Sequence, residues 1–492
     1  MGGVRVSSRV AAAAVLAALA ACAVGPNFKR PTPPADTGYG AASSQGTTPA
    51  AAVSGGAAQQ LQPGADITGE WWTLLQSPQL SELVTEALKN NPNLAAAKAA
   101  LREAHNLYAA QRTTLFPMVQ GSFDATRAKY PTSTLTAPTV GNSIYNLYTA
   151  QLSLSYTPDV FGGVRRSIEV ARTQVDSARY ELVAADLTLT SNVVVAAITE
   201  AGLRGQIQAT QRLLVLQHQL TETARAQRKL GTIRDVDLLP QEAAEAQTAA
   251  TLPPLQKQLG QNRDLLTALL GRLPAQEPQA AFHLEDLTLP TDLPVSLPSK
   301  LVAQRPDVLA AEANLHAATA QVGISIADML PQFQITADTG SSALAINKLF
   351  TPYTGFWDLG ASLTQTLFDA GALVYRHKAA NDALDVAAAQ YRAAVIQACQ
   401  NVADALRALQ ADAEALEAAA QAERAAKASF DLAQKQQKIG TISVVALLNA
   451  EQTYLQAEIA LVQAQSNRYA DTAGLFQALG GGWWNRPEGT FK

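Results

Sequence analysis

The chain has little of what catalysis or nucleic-acid binding requires. Its 492 residues carry 37 Lys and Arg against 41 Asp and Glu, so there is no basic excess of the kind that polynucleotide binding leaves in a sequence. No Gly-rich phosphate loop or nucleophile motif occurs, and the five histidines lack metal-ligand spacing. They are His105, His218, His283, His316 and His377. We therefore expect no enzyme, no metal, no other cofactor apart from a covalent lipid, and no nucleic-acid partner.

Cysteine is also scarce, and the first of the two, Cys22, follows a targeting segment. Two arginines and the short apolar run at 11–21 are typical of a signal peptide, which we assign to residues 1–21. The run is too short to span a bilayer as a mature helix. It ends in Leu-Ala-Ala-Cys, similar to a bacterial lipobox, which predicts cleavage before Cys22 and acylation of Cys22, with palmitate among the chains. The alternative is an ordinary signal peptide with an incidental cysteine.

Large apolar residues are nearly absent from the stretch that follows. Residues 31–65 are rich in Ala, Gly, Ser, Thr and Pro, which predicts an extended or flexible segment. We assign 22–70 to a lipidated N-terminal tether and expect folded structure to begin near Trp71. The remaining thiol, Cys399, lies in an Ala-rich tract and is expected to be a small buried residue, without an intrachain disulfide.

What the chain does contain is a duplication. GTIRDVDLL at 231–239 returns as GTISVVALL at 440–448, and three further pairs align in the same order. These pairs are Asn91-Pro92-Asn93-Leu94 with Arg305-Pro306-Asp307-Val308, Leu115-Phe116-Pro117 with Met329-Leu330-Pro331, and Leu269-Leu270-Gly271 with Ala478-Leu479-Gly480. We predict a first structural repeat at 71–273, a Pro-rich linker at 274–298, a second repeat at 299–482 and a C-terminal tail at 483–492.

Each copy runs through the same elements. An Ala-rich helix comes first, two strands follow, and a long helical hairpin completes the repeat. The predicted helices are 94–115, 164–230 and 235–270 in the first copy, and 308–330, 372–439 and 444–479 in the second. The predicted strands are 119–127, 148–156, 332–338 and 357–367. Period-two alternation predicts a lipid-facing set of Tyr148, Leu152, Leu154, Leu359 and Leu363, with Gln151, Ser153, Ser362 and Thr364 on the opposite, water-filled side.

The two longest helices are too long for a globular domain. At about 1.5 Å per residue each would extend about 100 Å and must pack along its length. Apolar residues recur at steps of three and four, which is typical of a coiled-coil seam. The seams are Ile168, Ala171, Val175, Ala178, Leu182, Ala185 and Leu189, and Leu384, Ala388, Tyr391, Val395, Ala398, Val402, Ala405 and Leu409.

The repeated Gly-Thr-Ile strings follow these long helices and predict hairpin turns. Gly231 and Gly440 directly follow the long helices and are predicted to be their C-cap glycines. Thr232 and Thr441 are expected to cap the next helix.

Four strands cannot close a transmembrane barrel, which needs at least about eight. The chain is therefore expected to form an oligomer, and three copies would supply twelve strands continued by a barrel of helices. The alternative from another class is a lipid-anchored periplasmic coiled-coil scaffold without a pore. That alternative fits the lipobox and the long helices but not the paired alternating strands.

Several motifs together make the chain resemble the TolC-type outer-membrane efflux channels of the NodT-like lipoprotein branch. They are Cys-Ala-Val-Gly-Pro-Asn-Phe at 22–28, Trp71-Trp72 before Ser77-Pro78-Gln79-Leu80, Pro-Asp-Val-Phe-Gly at 158–162, and Arg-Pro-Asp-Val at 305–308. The resemblance implies a membrane α+β fold and a homotrimer with a twelve-stranded β-barrel in outer-membrane lipid, continued by a periplasmic α-helical barrel. It also implies docking to a periplasmic adaptor, or membrane fusion, protein and an inner-membrane efflux pump. A protein-secretion duct remains an alternative within the transport class.

The resemblance places the hairpin turns at a periplasmic tip that closes the duct. Related channels carry aspartates in the second turn, where this chain has Ala446 and Asn449; the first turn instead has Asp235 and Asp237. The tip and gate candidates are Gly231, Thr232, Arg234, Asp235, Asp237, Gly440, Thr441, Ala446 and Asn449. The alternative is that the acids only favour the helix start, and that the gate is the packing of Ile233, Val236, Ile442 and Val445. The pairs Trp71-Trp72 and Trp483-Trp484 are expected to pack rather than to form ligand platforms.

Overall fold

The computed structural model describes residues 23–36, 38–40, 46–129, 144–487 and 489–491. Within them the strands are β1 Gln60–Pro63, β2 Met118–Lys129, β3 Ile144–Tyr156, β4 Asp292–Val295, β5 Gln332–Ala343 and β6 Gly355–Thr364. The helices are α1 Pro78–Asn90, α2 Pro92–Thr113, α3 Gly163–Lys229, α4 Asp235–Leu269, α5 Pro298–Gln304, α6 Pro306–Ala327, α7 Ala372–Lys438 and α8 Val444–Ala478. The predicted element order is confirmed in both copies.

The chain divides into two compact units. The strand unit comprises residues 1–30, 102–177 and 311–391, and the hairpin unit comprises 31–101, 178–310 and 392–492. The long helices α3 and α7, of 67 residues each, contribute to both. Their predicted seams are buried or half-buried, with Leu182, Val402 and Leu409 each 2% exposed or less. Cys399 is free, as expected, but it is half-buried where the sequence predicted a buried residue, and burial raises the pKa of its thiol.

A four-stranded antiparallel sheet in the order β2-β3-β5-β6 dominates the strand unit. Residues paired directly across antiparallel strands point to the same face, so the register sorts the side chains into two sets. The apolar face includes Val119, Phe123, Tyr148, Leu152, Leu154, Trp357, Leu359 and Leu363. The polar face includes Gln120, Ser122, Asp124, Gln151, Ser153, Asp338, Asp358, Ser362 and Thr364. The two sets predicted from alternation therefore share one face each.

The hairpin unit shows why the two copies align. At the end of the first hairpin, Asn91 Nδ2 donates a hydrogen bond to the Leu269 carbonyl at 2.9 Å. At the end of the second, Arg305 Nη1 donates to the Ala478 carbonyl at 2.8 Å. These positions correspond in the repeat, and each bond satisfies a carbonyl that a helix end leaves without an intrahelical partner. The duplication thus repeats a helix-closing contact made by a different side chain in each copy.

The N-terminal stretch is more ordered than the tether interpretation predicted. β1 pairs in parallel with β4, and Gln59 is fully buried, with its Nε2 donating to the Pro290 carbonyl at 3.0 Å. Tyr39 donates to the Ser296 carbonyl at 2.8 Å. The expectation that folded structure begins near Trp71 is therefore wrong. Small residues and prolines bury little surface themselves, but their backbone groups pair with the linker between the copies.

Both tryptophan pairs pack inside the hairpin unit. Trp71 is 1% exposed and stacks on Phe476, with ring centroids 5.3 Å apart. Trp483 Nε1 donates to the Gln304 carbonyl at 2.7 Å, and Trp484 Nε1 to Asp66 Oδ1 at 2.9 Å. The preference for packing over a ligand platform is confirmed, because each pair is engaged by neighbouring elements.

The register makes a prediction about membrane insertion. Phe123 lies halfway along β2 on the apolar face, and Ser122 beside it lies on the polar face. Phe123→Arg should weaken assembly by roughly 2–4 kcal/mol because it places a cation in lipid, whereas Ser122→Arg should be mild. Heat-modifiable trimer in membrane extracts is the measurement. Equal assembly of the two variants would show that the faces are assigned wrongly.

Candidate functional site

The two Gly-Thr-Ile turns have the same backbone conformation. Gly231 and Gly440 both adopt φ 76°, a left-handed conformation that a residue with a Cβ reaches only with strain. The Thr232 amide donates to the Gln227 carbonyl and the Thr441 amide to the Gln436 carbonyl, both at 3.0 Å. Together with the glycine amide bonds, this pattern is the Schellman motif that ends a helix. The string occurs twice because two long helices must each reverse direction.

The sequence predicted that Thr232 and Thr441 cap the next helix, and this prediction is wrong. Thr232 Oγ1 donates back to the Gln227 carbonyl at 2.8 Å, and Thr441 Oγ1 to the Gln436 carbonyl at 3.0 Å. They close the preceding helix, because the chain needs two more residues to turn before the next helix begins. The N-cap of α8 is Ser443, whose Oγ accepts from the Ala446 amide at 3.2 Å.

The first turn carries the carboxylates. Asp235 accepts two hydrogen bonds from Arg228, through Nε and through Nη2 at 2.9 Å, and these bonds lower the pKa of the Asp235 carboxyl. Asp237 Oδ2 accepts from the Arg234 amide at 3.2 Å. Asp235 is thus paired with a cation on the preceding helix rather than with the adjacent Lys229 or Arg234. Both acids occupy the first turn of α4, where the helix dipole also favours them.

The second turn has uncharged residues, Ala446 and Asn449, at the positions where related channels are expected to carry aspartates. Ala446 and Asn449 are exposed, as are Gly231, Thr232, Arg234, Gly440 and Thr441. All nine tip and gate candidates therefore belong to the two turns, to the first turn of α4 or to the first two turns of α8. The two turns differ in charge while sharing their backbone geometry.

Beneath the second turn lies an apolar cluster that joins the two hairpins. Phe430, Ala433 and Leu447 form its buried centre, and Phe430 stacks on Tyr454 with ring centroids 5.8 Å apart. Leu216 and Leu220 of α3 and Ile442 pack against it. Ile442 is therefore a packing residue. By contrast, five apolar side chains around the turns remain uncovered in one chain, namely Leu230 at 79%, Ile439 at 74%, Val236 at 63%, Leu239 at 59% and Val445 at 45% exposure.

Sequence reasoning missed a buried acid close to these turns. Glu451 is fully buried in α8 between Leu447 and Leu455, and neither carboxylate oxygen has a hydrogen-bond partner among the described residues. Burial raises the pKa of this carboxyl to about 7. The only sequence signal was a Glu on the same helical stripe as two leucines, four residues from each. Because the side chain is covered within a single chain, a neighbouring protomer cannot supply its partner.

The second candidate region is the seat of residues 24–28, the stretch that follows Cys22, in the strand unit. Cys22 lies outside the described residues, but the Val24 amide donates to the Phe161 carbonyl at 3.0 Å. The largely buried Arg166 donates to the Val24 carbonyl at 3.3 Å and to Asn27 Oδ1 at 2.8 Å. A Cβ on Gly323 would lie 3.0 Å from the Val24 oxygen, so a glycine leaves room for this stretch.

A second layer of contacts holds the same stretch. Phe28 stacks on His316, with ring centroids 4.3 Å apart, and His316 Nε2 lies 2.7 Å from Glu169 Oε1. Arg166 Nη1 donates to Glu169 Oε2 at 2.7 Å. Burial acts to raise the pKa of Glu169, but the bonds to Arg166 and His316 outweigh it and lower the pKa. Residues 24–28 therefore occupy a built groove.

Within the described part of the chain, no group of His, Cys, Asp or Glu side chains is arranged to hold a metal ion. His218 and His316 each pair with a single glutamate, Glu245 and Glu169.

Glu451 makes a prediction about stability. Its pKa is higher in the folded chain than the ordinary glutamate value of 4.5, so the folded state retains a proton that the unfolded state loses. The contribution of Glu451 is therefore most favourable below pH 4.5 and is lost as the pH rises to about 7. Glu451→Gln should flatten this part of the stability profile. Thermal melts of detergent-solubilised protein at pH 5 to 8 measure it.

Glu458→Gln is the control, since Glu458 is paired with Arg212. The profile of this variant should keep the slope that Glu451 produces. An unchanged slope in Glu451→Gln would mean that the buried carboxyl is ionised in the folded protein.

Comparisons with known proteins agree with this architecture. A family model described as outer membrane efflux protein matches residues 83–272 and 297–481. The pyoverdine export outer membrane protein OpmQ of Pseudomonas putida is 28% identical over 418 residues, covering 84% of this chain and 88% of that protein. The toluene efflux pump outer membrane protein TtgF of Pseudomonas putida is 27% identical over 478 residues, covering 96% of both. The solved outer-membrane channel OprN has a TM-score of 0.83 at 26% identity, covering 94% of this chain and 100% of that chain.

These matches describe export, efflux and a channel, not a scaffold without a pore. The trimeric fold class, a twelve-stranded β-barrel continued by an α-helical barrel, is that of the solved outer-membrane channels to which the chain is similar. The chain belongs to the outer membrane efflux protein family and is an outer-membrane channel component of an efflux system.

Proposed function

We propose that the chain forms a homotrimer that passes small organic molecules from an inner-membrane pump and a periplasmic adaptor, across the periplasm and outer membrane, to the exterior. The observation that carries the proposal is the uncovered apolar surface at the hairpin turns, where Leu230 and Ile439 are 79% and 74% exposed. Apolar side chains that a single chain leaves in water mark contact sites for partners. The adaptor and neighbouring protomers are the partners that such a tip would meet.

The relatives support the class of cargo rather than its identity. OpmQ is named for pyoverdine export and TtgF for toluene efflux, which are chemically unlike each other. Channels that are similar to this chain thus serve chemically unlike cargo in different systems, which favours selection by the pump over selection by the duct. We infer that this chain also conducts what its pump delivers, rather than recognising one substrate.

The docking proposal is tested with a photo-crosslinking residue placed at Leu230 or at Ile439 in cells. Each should capture an adaptor subunit or a neighbouring protomer, identified by mass spectrometry, because these side chains lie uncovered at the turns. The same probe at Gln400, an exposed position in the middle of α7, is the control and should not capture the adaptor. Adaptor captured from Gln400 but not from the turns would contradict tip docking.

We also propose that Cys22 is acylated and that residues 24–28 seat this anchor beside the end of β3. The bonds from Val24 to Phe161 and from Arg166 to the N-terminal stretch support it, since they hold the chain in a fixed place two residues from Cys22. A buried acyl chain contributes about 0.8 kcal/mol per CH₂.

Acylation predicts a mass shift on the mature N-terminal peptide that Cys22→Ala abolishes. The barrel spans the bilayer by itself, so this variant should change processing more than insertion. Mass spectrometry of the purified wild-type protein reads the modification. An intact N-terminus with unmodified Cys22 would contradict the proposal.

We propose finally that the turns close the duct and that Asp235 and Asp237 contribute to closure. Three symmetry copies of each charge near a narrow opening create a substantial field, and the bond from Arg228 to Asp235 ties α3 to α4 beside the turn.

Replacing both acids, Asp235→Ala with Asp237→Ala, should raise resting conductance in planar bilayers or change ion selectivity. Glu222→Ala with Glu242→Ala is the matched control, because it removes two acids that pair with Arg225 on the same two helices, the first exposed and the second half-buried. Unchanged conductance, selectivity and antibiotic uptake in the aspartate variant would leave these acids as helix-start residues and favour apolar packing at the turns as the gate.

A further inference from the structure

The charged residues of the membrane sheet are sorted by face. The described strands β2, β3, β5 and β6 contain three carboxylates, Asp124, Asp338 and Asp358, and two cations, Arg127 and Lys129. The register places all three carboxylates on the polar face. It places both cations on the apolar face, in line with Phe123. A membrane barrel turns its apolar face to lipid, so the cations point away from the lumen.

The two cations lie at one end of the strand. Lys129 is the last residue of β2 and Arg127 precedes it by two, whereas Met118, the first residue, follows α2. At about 3.3 Å per residue and a tilt of about 40°, Lys129 stands about 28 Å above Met118 along the bilayer normal. The apolar band of an outer-membrane barrel is about 25 Å tall. Lys129 therefore reaches the headgroup level of the outer leaflet. Arg127 stands about 23 Å above Met118 by the same arithmetic, and its long side chain extends along the apolar surface to the same level.

Among the described residues, no acidic side chain neutralises either cation. Neither takes part in an ion pair within the described residues, and both side chains are exposed. Their cross-strand neighbours are Asn146 opposite Arg127 and Ile144 opposite Lys129. Every carboxylate of the sheet is on the other face, so no acid on these strands competes for them. An anion outside the barrel is what would complete this pair.

We propose that Arg127 and Lys129 bind the phosphate groups of phosphorylated outer-leaflet glycolipid. A guanidinium offers a planar pair of N–H donors that matches two phosphate oxygens, and the neighbouring ammonium adds a mobile point charge. Phe123 is on the same face as Arg127, four residues closer to the bilayer centre, and lies at the depth of the acyl chains. The trimer carries three such sites, one on each β2.

Binding of purified lipid A to the detergent-solubilised trimer tests the proposal, with native mass spectrometry as the readout. Removing both charges, Arg127→Ser with Lys129→Ser, should weaken binding of bisphosphorylated lipid A by about tenfold or more. Exchanging the two residues, Arg127→Lys with Lys129→Arg, should retain binding because the charges remain at the same level. The exchange variant also shows that the strand tolerates substitution.

Two controls separate the source of the effect. Arg424→Ser with Lys427→Ser removes the same two charges from exposed positions on α7 and should leave lipid A binding unchanged. Dephosphorylated lipid A should bind the wild-type trimer as weakly as the bisphosphorylated form binds the double serine variant. Excess inorganic phosphate should not displace the lipid, since the acyl chains add affinity that the free ion lacks.

Three results would overturn the proposal. The double serine variant could bind bisphosphorylated lipid A as well as the wild type does. The wild type could fail to discriminate between the phosphorylated and dephosphorylated forms. Lastly, the control pair on α7 could lose binding equally, which would indicate a net-charge effect rather than a site.

Discussion

Backbone hydrogen bonding in lipid is the constraint on which the rest of the structure depends. The described sheet has two open edges, at β2 and β6, and each carries unpaired N–H and C=O groups along its length. Lipid offers no hydrogen bonds, so these groups must pair with another chain. Closure by three copies satisfies every edge. Once the strands are arranged in a ring, the helices that continue from them must also be arranged in a ring, and their long seams follow from that.

Duplication builds this arrangement economically, and the copies differ where the surroundings differ. The same glycine conformation ends both long helices, and the equivalent positions Asn91 and Arg305 close both hairpins. Charge is not duplicated. Asp235 and its partner Arg228 belong to the first turn, while the second has Ala446 and Asn449 over an apolar cluster. Backbone geometry is repeated because both helices must turn, whereas side chains facing the duct or a partner are free to diverge.

Buried polar groups mark the places where the chain departs from simple packing. The Arg166 side chain is almost fully buried and donates hydrogen bonds to Val24 and Asn27. The contacts that bury Arg166 therefore also hold the N-terminal stretch in place. Glu451 has no such compensation among the described residues, and burial raises the pKa of its carboxyl to about 7. A third arrangement of charged groups is found in the sheet, where the acids lie on the polar face beside water and the cations lie on the apolar face at the lipid boundary. Each arrangement follows from the cost of an unpaired charge away from water.

Much of this protein was determined by its sequence alone. Period-two and period-3.6 patterns fixed the strands, the helices and the two faces of the sheet, because these spacings follow from backbone geometry. The repeated Gly-Thr-Ile string located both turns, and the N-terminal motif pointed to Cys22. Only the tertiary structure showed that Thr232 and Thr441 close the helix before them, and that the N-terminal stretch packs instead of acting as a tether. It also revealed Glu451 and Arg166. The threonine bonds are local, but a threonine between two helices can serve either one, and the sequence does not say which. The other roles depend on partners more than a hundred residues away or, for Glu451, on the lack of a partner among the described residues, and a local sequence pattern contains neither.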